Sequence, residues 1–242
     1  MMLRGPLLRR MVSYTVPIIL TSWLQLLFNA ADLVVVGQAN GSDSLAAVGA
    51  TGAITNLIVN LFIGLSVGAG VTLAHCLGGN DEEAASRTVH TAIPAAAISG
   101  LFLTAVGVCC SRPFLIWMGT PDNILPLSTL YMQIYFGGMA FNMVYNFAAS
   151  ILRAAGDTQS PLKFLTIAGV VNVGLNLFFV HVFRMNVEGV ALATVISQAV
   201  SAVLVVRELM IRTDACASWS TEMQRPPTSR LSASASFGIS ER

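Results

Sequence analysis

Charged residues are scarce in this sequence. They make up 10% of its 242 residues, whereas 55% of the residues are hydrophobic and the mean hydropathy is +0.71. Soluble domains carry roughly 25% charged residues, so this chain lacks the polar surface that would cover a water-soluble globule. The composition therefore predicts an integral membrane protein, with the lipid bilayer as a partner and no nucleic-acid ligand.

The sequence motifs of several enzyme classes are absent as well. There is no GxxxxGK[ST] phosphate-binding loop, no HExxH metal motif and no GxSxG nucleophile elbow. The four cysteines show no CxxC or Cys/His ligand spacing, which favours packing roles for them. We therefore expect no enzyme activity, no cofactor and no ATP site of the phosphate-loop kind.

Long hydrophobic runs are what the sequence does contain. About 20 apolar residues cross the hydrocarbon core as a helix, and six segments meet this requirement, separated by polar or turn-rich stretches such as GQANGSDS. The predicted fold is all-α, a polytopic bundle of six transmembrane helices within residues 11–212. The predicted spans are 11–36, 46–76, 89–110, 124–150, 162–182 and 187–206.

The distribution of Lys and Arg predicts the orientation of the bundle. Of the 13 basic residues, all but Arg112 and Arg184 fall on the side of the membrane that holds the N-terminus. The positive-inside rule then predicts a plasma (inner) membrane protein with both termini in the cytoplasm, residues 1–10 forming the N-terminal segment. Residues 213–242 are polar and Ser-rich without apolar periodicity, so we expect a disordered cytoplasmic tail there.

One carboxylate lies inside the first predicted span. Ser22, Gln25, Asn29 and Asp32 recur at helical spacing and share one face. An aspartate costs about 3 kcal/mol at the centre of a membrane helix, so this face points at other helices or at a wet cavity. Contacts between helices explain the amides well. They explain Asp32 less well, because an amide there would make the same contacts without the risk of ionisation.

Later spans offer this aspartate polar partners but no cation. Two states would satisfy Asp32: a neutral acid that holds a proton, or a carboxylate with a bound cation coordinated by Asn and Thr oxygens. A group poised between these states is what proton or sodium coupling needs. The partners are Tyr131, Tyr135, Asn142 and Asn146 on the fourth span, Asn172 and Asn176 on the fifth, and Thr194, Ser197, Gln198 and Ser201 on the sixth.

From about residue 11 to 212 the sequence resembles the multidrug and toxic compound extrusion (MATE) family. The resemblance rests on Pro17 and Asp32 in the first helix, followed in order by VVVGQANGSDSLAAVGA, LGGNDEEAASR, ILRAAGDTQSPLKF, NVGLNLFFV and GVALATVIS. MATE proteins are secondary transporters that expel cationic drugs and other organic compounds in exchange for protons or sodium. They contain two six-helix bundles around a central cleft, and by resemblance this chain is the first bundle.

The resemblance also implies roles for individual residues. Asp32 would bind the coupling proton or Na⁺, and Pro17 matches the proline at which the first helix is proposed to bend. Asn176 stands where many relatives have a second acid, which weakens the case for sodium and leaves a single-proton carrier plausible. The remaining site consists of Asn172, Asn176 and Thr194 around the ion, with Tyr131, Asn146, Gln25 and Asn29 as a supporting polar network.

The length of the chain leaves other interpretations open. A second bundle does not follow residue 212, so we expect a truncated or frame-shifted N-terminal half, or a natural half-size protein, that needs a second lobe or chain for alternating access. One alternative is a non-transporting membrane fragment. Another is a flippase for lipid-linked sugars, which would more naturally carry Lys or Arg within its spans.

Overall fold

A computed structural model of the chain describes residues 7–79 and 81–223, and no strand occurs in this part of the chain. The predicted all-α class is therefore confirmed. Two compact units are distinguished, residues 1–206 and 207–242, and the bundle described below belongs to the first. The helices are α1 (Leu7–Gly78), α2 (Glu82–Trp117), α3 (Leu125–Gly137), α4 (Met139–Ala154), α5 (Gln159–His181) and α6 (Val187–Met223).

Five segments of the described chain are long and apolar enough to cross a membrane. Large apolar side chains cover their outer surfaces, and Trp23, Leu57 and Ile98 are each at least 70% exposed. In a bilayer such side chains face lipid, where their exposure carries no hydrophobic cost. The segments are Met11–Gly37, Thr55–Gly78, Glu83–Trp117, Gln159–His181 and Val187–Ile211.

The fourth predicted span, 124–150, is present as the two short helices α3 and α4. Gly138 separates them, and Val195 of α6 packs directly against this glycine. A Cβ atom at Gly138 would lie 2.6 Å from Val195 Cγ2, closer than two carbon atoms can approach. The glycine thus lets α6 pack tightly at the interruption, and the α3–α4 pair corresponds to the fourth predicted crossing.

The polar stretch predicted between the first two spans does separate two apolar segments, and its backbone is helical. Helical structure continues through GQANGSDS, so that α1 contains both spans. Even so, α1 is not straight, because a Cβ atom on Gly37 would lie 3.6 Å from Leu45 Cδ2. Residues eight apart in a straight helix are about 12 Å apart, so the chain folds back sharply between these two residues.

The end of α6 differs from the predicted boundary at residue 212. The helix continues to Met223, eleven residues into the segment for which we expected disorder. Residues 224–242 lie outside the described part of the chain, as do residues 1–6 of the predicted N-terminal segment. For those residues the expectations stay predictions.

Two long-range hydrogen bonds fix the direction of the α3–α4 pair relative to α1. Near the start of α1, the Tyr14 hydroxyl donates to the Arg153 carbonyl at the end of α4 over 2.9 Å. At the other end of the bundle, the Ser128 hydroxyl near the start of α3 donates to the Ala47 carbonyl over 3.3 Å. The first crossing of α1 and the α3–α4 pair therefore run antiparallel.

Small residues set the distance between α2 and its neighbours. Gly107 faces the ring of Phe136, and Gly100 faces the backbone of Ala140 so closely that a Cβ atom there would lie 2.5 Å from Ala140 Cα. Lipid provides no hydrophobic force between helices, so close van der Waals packing of this kind holds membrane helices together.

We expect Gly100→Ala to destabilise the bundle by about 1–3 kcal/mol, the usual cost of forcing an extra methyl group into a packed interface. Thermal unfolding of the purified protein in detergent measures the effect. Gly64→Ala is the matched control, because no atom lies within 4 Å of the position its Cβ would occupy. Equal melting temperatures for the two variants would contradict the close packing at Gly100.

Candidate functional site

The carboxylate of Asp32 is buried between α1, α5 and α6. Its side chain is 8% exposed, and Asn176 of α5, which is fully buried, donates from Nδ2 to Asp32 Oδ1. Thr194 of α6 reaches the other carboxylate oxygen, with 3.4 Å between its Oγ1 and Asp32 Oδ2. Two donors on two different helices therefore converge on one acid.

Asn172 extends this arrangement by one helical turn. Its Nδ2 lies 3.4 Å from Thr194 Oγ1, and its Oδ1 accepts from Asn176 Nδ2 over 3.2 Å. The Thr194 hydroxyl also lies 2.9 Å from the Val190 carbonyl, and its single hydrogen serves either that carbonyl or Asp32. Asp32, Asn172, Asn176 and Thr194 thus form one connected cluster, which we call the Asp32 cluster.

A glycine makes this convergence possible. Gly169 on α5 lies against the ring of Phe28 on α1, and a Cβ atom at this position would overlap that ring. Phe28 and Asp32 are one helical turn apart, as are Asn172 and Asn176. The close approach at Gly169 therefore brings the amides of α5 within reach of the aspartate.

The Asp32 cluster borders a polar cavity of about 450 Å³. Asp32, Asn172 and Thr194 line it, whereas Asn176 lies behind the aspartate and is not part of the wall. Among the described residues that line the cavity, Asp32 is the only charged one. The other polar side chains are amides and hydroxyls, so the cavity carries at most a single negative charge.

The supporting residues predicted from the sequence fall into two groups. Gln25, Asn29 and Asn146 line the cavity, and Asn146 also donates to the backbone and side chain of Asn142 at 2.8 and 3.0 Å. Tyr131 does not line it, but packs in an apolar cluster with Val36 and stacks on Tyr135 with 6.1 Å between ring centroids. Its predicted place in the network is therefore indirect, through Tyr135, which does line the cavity.

Pro17 also lies apart from the cavity wall. It is buried inside α1, about four helical turns before Asp32, and its carbonyl accepts a hydrogen bond from the Thr21 hydroxyl over 2.7 Å. Proline removes one backbone hydrogen bond from a helix and favours a bend. The structure thus places Pro17 where a bend would move the part of α1 that carries the polar face.

Two amides of the cavity wall were missed by the sequence reasoning. Asn56 and Asn60 of α1 face the cavity, and Asn60 Nδ2 donates to the Asn56 carbonyl over 2.7 Å. They are one helical turn apart, the same signal that identified Asn172 and Asn176. That spacing in the second span was a usable signal for placing them in the site.

The donor set suits a proton or a single hard cation better than a transition metal. The described residues contain no group of three or more His, Cys, Asp or Glu side chains that would hold a metal ion. By contrast, Asp32 offers carboxylate oxygens, and the fully buried Asn176 Oδ1 has no hydrogen-bond partner. An acceptor without a partner, beside a buried acid, fits either an acid proton or a cation that prefers oxygen ligands.

Comparison with known proteins agrees with this architecture. The MatE family model matches residues 17–178, which is more than half of the chain. The chain belongs to the MatE family. It is 30% identical over 198 residues to the "Probable multidrug resistance protein YpnP" of Bacillus subtilis (strain 168), a match that covers 82% of the chain and 44% of that protein.

Two further relatives extend the comparison. The "FAD transporter" of Shewanella oneidensis is 26% identical over 83% of the chain and 45% of its own length. A MATE crystal structure in the bent conformation superposes with a TM-score of 0.82 at 26% identity, covering 88% of the chain and 47% of that protein. The chain therefore has the fold of a transporter family, and it spans about half the length of the curated relatives it matches.

We expect Asn176→Leu to lower the free energy of unfolding by about 1–3 kcal/mol, because the buried Asp32 carboxylate loses a donor that nothing replaces. Chemical or thermal unfolding in detergent measures this loss. Asn60→Leu is the control, since this exposed amide bonds to the backbone of its own helix. A loss for Asn60→Leu as large as that for Asn176→Leu would contradict a special role for the contact with Asp32.

Proposed function

We propose that this bundle takes part in the export of organic cations across the plasma membrane in exchange for protons or sodium ions. The observation that carries the proposal is Asp32, the single charged side chain among the described residues on the wall of a polar cavity inside a membrane bundle. Ionisable residues in such positions mark ion or substrate pathways. Membership of the MatE family supports a transport function, and the negative charge of Asp32 supports a cationic substrate.

Asp32 has ligands for either coupling ion. A proton on its carboxyl group would find an acceptor in the Asn176 amide oxygen once that amide turns over. A sodium ion would find the carboxylate, the Thr194 hydroxyl and the amide oxygens of Asn172 and Asn176. Both states neutralise one negative charge, and Asn176 in place of a second acid favours the proton.

Competition between the organic cation and the coupling ion for the charge of Asp32 would couple export of the cation to uptake of the ion. The cavity also presents aromatic side chains, among them Phe28, Tyr135 and Tyr145, and aromatic faces attract organic cations. A substrate cation near Asp32 favours loss of the proton or sodium ion, and rebinding of that ion favours release of the substrate. Such mutual exclusion is the thermodynamic requirement for antiport.

Alternating access requires two bundles that move about a shared site. We propose that this bundle works against a second six-helix lobe, whether that lobe belongs to the same chain or to another. Pro17 would supply the bend in α1, and both termini would lie in the cytoplasm. The half-length coverage of the relatives supports the need for a second lobe.

We expect Asp32→Asn to abolish ion-driven transport while the protein still inserts and folds, because the amide neither binds a proton nor carries a charge. Proteoliposomes that contain the chain are given a pH or sodium gradient, and movement of the organic cation ethidium is followed by fluorescence. FAD, the substrate in the name of one relative, serves as an anionic comparison.

A binding measurement separates coupling from the need for a second lobe. Ethidium added to the purified chain in weakly buffered detergent should displace about one proton or one sodium ion from wild type and none from Asp32→Asn. Its affinity should fall about tenfold or more in the variant, the usual effect of losing an interaction with a charged group.

Asp122→Asn is the control for this test, since it makes the same chemical change in an exposed loop. Unchanged ion displacement in Asp32→Asn would remove this residue from the mechanism. Normal displacement by wild type without transport in liposomes would identify the chain as a half-subunit that needs its partner lobe.

A further inference from the structure

A second cavity lies between the end of α2 and the first half of α3. Its volume is about 290 Å³, and none of its lining residues borders the polar cavity of the Asp32 cluster. Arg112, Pro126 and Leu130 on its walls are exposed on the outer surface of the bundle. We call it the Arg112 groove, and it is lined by Arg112, Leu125, Pro126, Thr129, Leu130 and Gln133.

The guanidinium group of Arg112 has no acidic partner. Within the described part of the chain, no carboxylate oxygen lies within 4 Å of its nitrogens, and the first turn of α3 opposite carries no acidic residue. A guanidinium in a largely apolar groove therefore presents an uncompensated positive charge. Its planar fork of donors matches the oxygens of a phosphate group.

Polar side chains on α3 complete the wall opposite Arg112. Thr129 and Gln133 are one helical turn apart and both line the groove. The Gln133 amide nitrogen makes a long hydrogen bond of 3.5 Å to the Val108 carbonyl, and such a bond is weak enough to exchange for a better acceptor. The Arg112 groove thus combines a cation, an amide and a hydroxyl in one small space.

The groove lies near the end of the apolar segment of α2. Arg112 precedes Trp117 by five residues, or about 7.5 Å along a helix, and Trp117 ends the apolar segment of α2 with 86% of its surface exposed. Tryptophan marks the interface between head groups and acyl chains. Arg112 is therefore about one extended side chain away from the head groups, which long basic side chains near helix ends can reach, and Leu125 and Leu130 line the groove as apolar surface.

We propose that the Arg112 groove binds one anionic phospholipid, with the lipid phosphate on Arg112 and Gln133 and an acyl chain along Leu125 and Leu130. The Thr129 hydroxyl, which donates to the Leu125 carbonyl over 2.8 Å, would turn its hydrogen to the phosphate. An arginine that merely reaches toward water needs neither a cavity nor polar groups facing it. A soluble phosphate would make no use of the leucine walls. This inference concerns the lipid-facing surface and stands independently of the transport proposal.

Native mass spectrometry of the full-length chain tests the proposal. Protein released from detergent with added phosphatidylglycerol should retain one lipid, whereas phosphatidylcholine, which has the same phosphate but no net charge, should bind more weakly. Arg112→Gln should weaken phosphatidylglycerol binding about tenfold, as expected when a hydrogen bond to a charged group is lost.

Arg184→Gln is the matched control, because Arg184 is an exposed arginine at the same end of the bundle and does not line the groove. Its lipid affinity should equal that of wild type. If Arg112→Gln does not fold, the pair Thr129→Val and Gln133→Leu tests the opposite wall, and a loss of binding is again expected.

Three results would overturn the proposal. Equal loss of lipid in Arg112→Gln and Arg184→Gln would mean that the attraction is a general surface charge effect. Equal binding of phosphatidylcholine would mean that the net charge is not recognised. Binding of glycerol 3-phosphate as tight as that of phosphatidylglycerol would assign the groove to a soluble phosphate compound.

Discussion

The constraint on which the rest of the site depends is the cost of keeping the Asp32 carboxyl group away from water. Without partners, a buried acid in a membrane bundle is destabilising. Asn176 and Thr194 supply those partners from α5 and α6, so the same contacts that satisfy the acid also hold three crossings together. The aspartate is thereby a structural centre as well as the candidate ion site, and any ion that binds there acts on the packing of all three crossings.

Close helix packing is the condition under which these partners can reach the acid. Lipid gives membrane helices no hydrophobic reason to associate, so contact depends on shape. Gly169 brings α5 onto Phe28, and Gly138 brings α6 onto the α3–α4 junction. The glycines thus set the distances between crossings, and at those distances the polar side chains can form hydrogen bonds from one crossing to another. A polar cluster on a loosely packed bundle would be wet and would lose the discrimination between a bound ion and water.

Helical periodicity was enough to predict part of this arrangement. The polar face that ends at Asp32 was readable because residues three and four apart share a face. The later spans offered a longer list of polar partners, and the resemblance to the MATE family singled out the amides of α5 and Thr194 among them. Tyr131 was harder, because a tyrosine at the same spacing packs equally well in an apolar cluster, and here it does so with Val36. Asn56 and Asn60 carried the same signal in the second span, but no acid in that span drew attention to them.

The sequence by itself determined that the chain is a helical membrane bundle, where its long apolar segments lie and that Asp32 lies on a polar face of the first of them, because hydropathy and helical spacing are local properties of the chain. Only the tertiary structure decided that α1 folds back on itself near Gly37, that the fourth crossing is interrupted at Gly138, and that Arg112 faces Thr129 and Gln133 across a groove. Each of these depends on which residues distant in sequence come to lie side by side. Those contacts follow from the packing of whole helices, and a local sequence pattern contains no information about that packing.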